Sequence, residues 1–383
     1  MVQPFQALVR GAGPTGALAA LALADAGWLV AISDPLDRAR LLDRSRAYAF
    51  SHSSRRLLEY LGLWTQLEAV MVPFRHLELQ DLGASAQVTF ELPDLGRRLA
   101  QQPGAALGWI AQHGPLMEVL FDQLACHPAI TPSLGSEVAD LQAEPDLLVA
   151  ADGPHSPTRE GLGIGQWQWS YRQNCLSALV GLRGSEADQA WELLRPEGPF
   201  ALLPLGGGKV QAVWSAPAAR CRQLESLSDG GFLDALASAL PDRFQPDALF
   251  DSPRAFPVAW QLAHRLHRGN CVLVGESGHR CHPVGGQGLN LCWRDVAELH
   301  RQARRVAAGR LPVQRLASAY ALRRWPDLLL TLIATDLLVR LFSNRSNLLL
   351  PLRRLALAAM ARLAPLRRLS LGAMTHGPCQ LRW

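Results

Sequence analysis

The stretch Gly11-Ala12-Gly13-Pro14-Thr15-Gly16 constrains this chain more than any other part of it. It reads G-x-G-x-x-G, follows a short apolar run from Phe5 to Val9, and leads into an Ala/Leu segment from about Ala17 to Ala26. Gly27 ends that segment, Trp28 to Ile32 reads as the next strand, and Asp34 follows it. Strand, glycine turn, helix, strand and terminal acid together make a dinucleotide-binding unit. Gly11 allows the tight turn, Gly13 lets a pyrophosphate approach the backbone, and Gly16 lets the helix sit close to the sheet. The helix start supplies unpaired N–H groups and partial positive charge for the phosphates. Asp34 can accept hydrogen bonds from the ribose hydroxyls. Arg10, at a strand position usually apolar, is irregular.

The unit does not distinguish NAD from FAD, but the remaining chain does. Nothing marks the proton donor that a plain dehydrogenase needs beside a nicotinamide. Two further glycine motifs appear instead. Leu147 to Ala151 reads as a buried strand ending in Asp152-Gly153, with Ser156 and Arg159 just after. Cys271 to Val274 reads as another, ending in Gly275-Glu276 and followed by His279, His282-Pro283 and Gly285-Gly286-Gln287-Gly288-Leu289-Asn290. A helix from about Leu289 to Arg305 is expected next. Backbone N–H groups from Gly288 to Asn290, at a helix start, suit the negative N1/O2 edge of a reduced flavin.

Length and composition set outer bounds. With 383 residues, 49% apolar and 19% charged, the chain can bury large cores, so global disorder and a small stapled secreted scaffold are excluded. No run reaches the ~18 apolar residues of a spanning helix, and no signal sequence is expected from the residues after Met1. Seven cysteines without a C-x-x-C pair suggest reduced thiols and a cytoplasmic protein. Between about 166 and 256, segments such as Phe200 to Leu205 and Val210 to Trp214, separated by Gly and Pro, read as antiparallel sheet. From about 295 onward the Leu/Ala/Arg stretches read as helices.

These three glycine motifs, in this order, resemble the FAD-dependent aromatic hydroxylases, the single-component flavin monooxygenases. The resemblance is greater to the ubiquinone-biosynthesis hydroxylase branch (UbiH/UbiF/VisC type). Ser45 to Ser51 followed by Leu57 to Trp64, Phe74-Arg75-His76 followed by Val88-Thr89-Phe90, Gly198 to Leu205, and Leu341 to Asn344 are all similar to that branch. The resemblance implies an α/β fold of mixed α+β character: a Rossmann-like, three-layer FAD-binding domain, an inserted antiparallel substrate sheet, and C-terminal helices. The expected boundaries are 1–75, 101–165 and 257–312 for FAD binding, 76–100 and 166–256 for substrate, and 313–383 for a basic helical region.

It also implies a reaction. NAD(P)H reduces the flavin, O₂ adds to give a C4a-hydroperoxide, and that electrophile hydroxylates an activated ring. Gly11, Gly13, Gly16 and Asp34 would hold the ADP half of FAD, and Arg46 would lie along the phosphates or ribityl chain. Asp152 and Gly153 match a motif serving both FAD and NAD(P)H. Gly275 and Glu276 match a Gly-Asp motif whose acid bonds the ribityl. Pro283 to Asn290, including Gly286, Gly288 and Leu289, would wrap the isoalloxazine. No catalytic residue is marked. This chain departs from the pattern at Glu276, at Ser277-Gly278 and at Pro154-His155.

Other features have plainer readings. His279, Cys281 and His282 fall in the expected flavin loop, so no metal is expected. Cys126, Cys175, Cys221, Cys271, Cys292 and Cys379 read as small apolar fillers. Trp167-Gln168-Trp169 lacks the following Ile-Pro of flavin halogenases, and Lys209, the only lysine, sits in a glycine turn, so these tryptophans are expected in the sheet core or the substrate-pocket wall. Asp336 and Arg340 are spaced for a helix ion pair.

From Leu337 to Trp383 there are eight arginines and no acid, without nucleic-acid motifs, so nucleic-acid binding is not expected. At about 100° per residue, Leu352, Leu355, Met360 and Leu363 gather on one helical face and Arg353, Arg354 and Arg362 on the other. This arrangement reads either as an ordinary helix packed on the domain or as a surface for peripheral contact with an anionic membrane or a biosynthetic complex. The expected activity is hydroxylation of a phenolic, polyprenylated quinone precursor. The alternatives are another flavoenzyme of this fold, such as an isoprenoid or carotenoid oxygenase or a reductase, and a flavin- or lipid-binding accessory subunit without turnover.

Overall fold

The structure is a computed structural model that describes residues 4–136 and 144–379. The glycine-turn helix spans Pro14–Asp25, with Pro14 at its first position, where a missing N–H costs nothing. Its Ala and Leu side chains are buried on every face, between the sheet below and the helices His113–Cys126 and Gln287–Ala307. An all-round apolar helix is stable only when enclosed in this way.

That sheet has six strands in the order His267–Arg268, Cys271–Leu273, Leu147–Ala150, Gln6–Arg10, Leu29–Asp34 and Ile130–Leu134. Its pairings are parallel except at the short His267–Arg268 edge. Three strands of this sheet, Gln6–Arg10, Leu147–Ala150 and Cys271–Leu273, run directly into the three glycine motifs. The motifs, remote in sequence, therefore meet at one end of the sheet. Ligands of open α/β sheets bind at this carboxyl end.

A second sheet has nine strands. Its long members are Gln166–Arg183, paired antiparallel with Arg254–Ala263 and with Lys209–Pro217. Strand Arg254–Ala263 carries this sheet across the boundary expected at 256/257. The pairing of Gln189–Leu194 with His76–Asp81 is parallel, against the all-antiparallel expectation. Those strands are far apart in sequence, and only a long crossover can join parallel neighbours. Trp191, Phe200, Trp214, Phe232 and Phe244 fill the side of this sheet under the helices Ala218–Glu225 and Asp229–Ala237. The opposite side faces the first sheet.

Three helices, Leu316–Phe342, Leu350–Arg362 and Ala364–His376, close the chain. No helix among the described residues is long and apolar enough to cross a membrane. On Leu350–Arg362 one arginine of the expected basic face turns inward, while Arg362 stays exposed and Met360 packs against the core. Arg353 is 1% exposed, whereas Leu352, Leu355 and Leu363 are 51%, 67% and 54% exposed. Arg353 Nε donates to Asp81 Oδ2 at 2.7 Å, and Arg354 Nε donates to the carbonyl of Ala84 at 3.0 Å. A buried ion pair thus faces the core and the leucines face outward. Arg382 of the basic run lies outside the described residues.

Candidate active site

A cavity of about 1100 Å³ lies between the two sheets and the C-terminal helices. It exceeds the ~300–1,000 Å³ of ordinary small-molecule sites, which suits a large cofactor plus a substrate. Every residue expected from the sequence to bind FAD lines it except Gly16 and Gly275. Those two serve packing. A Cβ on Gly16 would lie 1.8 Å from the Gly11 carbonyl oxygen, and one on Gly275 (φ +71°) would lie 2.9 Å from Thr15.

The glycines of the turn divide by what surrounds them. Gly11 has φ +97°, and its Cβ would meet the Ala151 carbonyl at 2.3 Å. Gly13 has an ordinary φ of −66°, with nothing within 4 Å of a Cβ built there. Gly288, in the first turn of Gln287–Ala307, also has open space at that point. Packing therefore does not explain glycine at either place. Both face the cavity, where a side chain would occupy ligand volume, and both lie at helix starts that favour negative charge. The arrangement fits FAD: one helix start could meet the pyrophosphate and the other the flavin ring's anionic edge.

The acids are set by backbone contacts. Asp34 Oδ2 accepts from Ala12 N at 2.7 Å and Oδ1 from Leu36 N at 2.9 Å, leaving further lone pairs toward the cavity. Asp152 accepts from the Ser156 hydroxyl and from Thr158 N at 3.0 Å, which ties it to the Pro157–Gly161 helix. Glu276 is 45% exposed by side chain and lies 3.8 Å from Arg280 Nε. The Arg46 guanidinium stacks over Phe256 with 4.0 Å to the ring centroid. Asn290 spends its side chain on structure: it donates to the carbonyls of Ala49 and Gly286 and accepts from Ser51 N and Ser54 Oγ. It fastens the glycine loop and the helix start to the neighbouring strand Ala47–Phe50.

Several site residues escaped the sequence reading. Gly275 N donates to Asp295 Oδ2 at 2.8 Å, and that oxygen also meets His279 Nε2 at 2.6 Å. Arg324 bridges Asp295 and Asp327, and Arg294 binds Asp327. Burial pushes the Asp295 carboxyl up, but His279 and Arg324 outweigh it and hold the group below the usual carboxylate range. This buried network underpins the Gly275-Glu276 turn. A residue-by-residue scan had no way to pair acids and arginines that lie 29 or 33 residues apart. Tyr48 donates to His113 Nδ1 at 2.9 Å while His113 Nε2 bonds the Leu41 carbonyl. Burial lowers His113 to about 4 and raises Tyr48 to about 12, so both are neutral.

Glu192 was also missed. It lies on the cavity wall in strand Gln189–Leu194. It shares a strand face with Ala190 and Leu194, which carries no signal until that face is known to meet the cavity. The tryptophans correct an expectation: Trp167 is 53% exposed, and Trp169 stacks on Trp260 at 3.8 Å, at the sheet edge and away from the cavity. Asp336 does pair with Arg340, at 2.6 Å, and also accepts from Tyr171 Oη.

Residues 5–326 match the family described as FAD binding domain. The chain is 32% identical to ubiquinone hydroxylase UbiL of Rhodospirillum rubrum, over 93% of this chain and 86% of that protein. It is 29% identical to 3-demethoxyubiquinol 3-hydroxylase of Escherichia coli, over 94% and 95%. Its fold matches the crystal structure of p-nitrophenol 4-monooxygenase PnpA from Pseudomonas putida with a TM-score of 0.78 at 17% identity, covering 98% of this chain and 99% of that one. With a cavity that fits FAD and a family match across most of its length, the chain belongs to the FAD binding domain family, in the branch of the ubiquinone-biosynthesis hydroxylases, and is an FAD-dependent monooxygenase.

Proposed function

We propose that the enzyme hydroxylates a phenolic, polyprenylated precursor in ubiquinone biosynthesis, with NAD(P)H as electron donor. The observation that carries this reading is the continuity of the cavity. From Gly13 and Glu276 it extends past Leu79, Leu203 and Met360 to Leu338, which is itself 38% exposed. A ring near the cofactor could thus keep an apolar tail in apolar surroundings as far as the surface. The printed names of the relatives from R. rubrum and E. coli support the substrate class.

In this reading Gly11, Gly13, Gly16 and Asp34 hold the ADP half of FAD, with Arg46 along the phosphates or ribityl chain. Asp152 and Gly153 serve FAD and NAD(P)H. Gly275 sets the turn, and Glu276 bonds the ribityl. Pro283, Gly286, Gly288, Leu289 and Asn290 shape the isoalloxazine site. Bound FAD supplies the oxygen chemistry, and the protein supplies position, dryness and polarity. Residues 1–75, 101–165 and most of 257–312 form the cofactor part in this scheme, and the nine-stranded sheet forms the substrate part.

The same reading places the enzyme against a bilayer. Leu322, Leu329, Leu330, Ile333 and Leu337 form one exposed stripe on Leu316–Phe342, and Leu348, Leu352, Leu355, Leu363, Leu366 and Leu369 are exposed beyond it. Arg345, Arg362 and Arg368 are exposed beside them. Apolar contact with basic charge suits the boundary of an anionic membrane. Adding a short-chain prenylphenol to the FAD-loaded protein should accelerate NAD(P)H oxidation. An unchanged rate, with FAD bound, would count against the proposed substrate.

A further inference from the structure

The side of the nine-stranded sheet that faces the cavity is apolar almost throughout. Beside Glu192 the neighbouring strands set Leu79 and Ala201, its register partners. Glu192 is 8% exposed, and among the described residues no arginine or lysine pairs with it. Among the described residues its one hydrogen bond is a long one, 3.4 Å to Oε2 from Gly285 N, in the glycine loop expected to lie against the flavin ring. A neutral glutamine could accept that bond equally well. An unpaired carboxyl in an apolar wall is costly, so its persistence points to a ligand.

We propose that Glu192 is the catalytic base that takes the proton of the substrate's ring hydroxyl, a role that rests on the phenolic substrate proposed above. The O–H bond of the phenol breaks, its proton passes to Glu192, and the oxygen's electron pair is released into the ring. That enriches the ring carbons ortho and para to it, which are the ones an electrophilic oxygen attacks. Only a proton moves at Glu192; the oxidant is O₂ and the reductant NAD(P)H, as in the monooxygenase reaction itself.

Burial pushes the Glu192 carboxyl up to about 7, with the Gly285 N–H acting the other way. A base poised there can gain and lose a proton at neutral pH. The neighbouring groups on Gln166–Arg183 and on the glycine loop do not compete for that proton. The thiol of Cys175, on Gln166–Arg183, is pushed by burial up to about 12 and stays protonated. Arg46 lies over Phe256 and, among the described residues, makes no ion pair with Glu192. Ser177, from the same strand as Cys175, accepts from Gln211 Nε2 at 2.9 Å. From the loop, Gly285 brings only its N–H.

The test compares FAD-loaded wild type with Glu192→Gln and Glu192→Asp, using a short-chain prenylphenol, NAD(P)H and O₂ from about pH 5 to 9. In wild type, kcat for hydroxylated product should rise along a limb centred near 7. Glu192→Gln should lose that limb and fall about 100-fold or more in kcat, with its oxygen appearing as hydrogen peroxide and with FAD content unchanged. Glu192→Asp should regain part of kcat together with the limb. A Gln variant that keeps both rate and limb overturns the proposal. So does loss of FAD in both variants, because that marks Glu192 as a brace for the Gly285 loop. Binding of phenol and of anisole, read from the flavin absorbance, separates this failure from that of the substrate assignment. Wild type should prefer phenol and Glu192→Gln should not. Wild type that binds the prenylphenol yet never hydroxylates it contradicts the proposed substrate instead.

Discussion

At Gly13 and Gly16 one added methyl group has opposite consequences. Gly16→Ala drives a Cβ to 1.8 Å from a backbone oxygen, so the fold itself should lose about 3 kcal/mol or more, read as a lower denaturation midpoint. Gly13→Val enters open space at the N-cap, so FAD-free protein should lose no more than about 1 kcal/mol while FAD retention disappears. Because φ at Gly13 is ordinary, the effect there is steric exclusion of the ligand and involves no backbone strain. Full FAD retention by Gly13→Val would contradict the cradle. At Glu276, Asp should be tolerated or improve the coupling of NAD(P)H oxidation to product, whereas Ala should weaken FAD by ~1–3 kcal/mol, measured by equilibrium dialysis. The glycines and Asp34 stand out in the sequence because their spacing is local. Glu192 does not, since a single acid in a strand means little until its face is known.

At the scale of elements, periodicity grouped Leu352, Leu355 and Leu363 correctly and set Arg353 opposite them. It could not tell inside from outside, because the acid that buries Arg353 is Asp81, 272 residues away. Breaking that pair with Arg353→Met should cost ~3–5 kcal/mol by leaving the buried Asp81 carboxylate without its counter-charge, held only by the Gly83 and Ala84 N–H groups, and should loosen Leu350–Arg362 toward protease. A joint Arg353→Met/Asp81→Leu change should recover much of the loss. Buried histidines predict an acid limit on stability. Burial holds His52 and His113 at about 4 and His282 at about 3, below the ~6.5 of an unfolded chain. The unfolded state therefore binds protons that the native state refuses. Stability is fully present above about 6.5 and falls by about 1.4 kcal/mol per pH unit for each histidine as pH drops toward 4. Glu192 has the opposite sign and offsets one of the three between about 7 and 4.5. Urea midpoints at about pH 7 and 5 should show the net loss, and equal midpoints would contradict the neutral histidines.

For the whole molecule, sequence motifs mark one end of the first sheet but not the cavity beside it, whose wall needs both sheets and the C-terminal helices placed together. In the proposed reading the docking face consists of the exposed leucines with Arg345, Arg362 and Arg368, and Arg353 has no part in it. FAD-loaded protein should sediment with anionic liposomes at low salt and come off as salt rises, since exposed charge is screened within ~8–10 Å near physiological ionic strength. Replacing those three arginines with Gln should reduce sedimentation with FAD content unchanged, and salt-independent behaviour of both proteins would contradict the face. The most direct test of the central claim is the fate of molecular oxygen. Purified protein with FAD, NAD(P)H, a short-chain prenylphenol and ¹⁸O₂ should give a ring-hydroxylated product carrying one ¹⁸O atom. NAD(P)H consumption that yields only peroxide, with the phenol recovered unchanged, would contradict it.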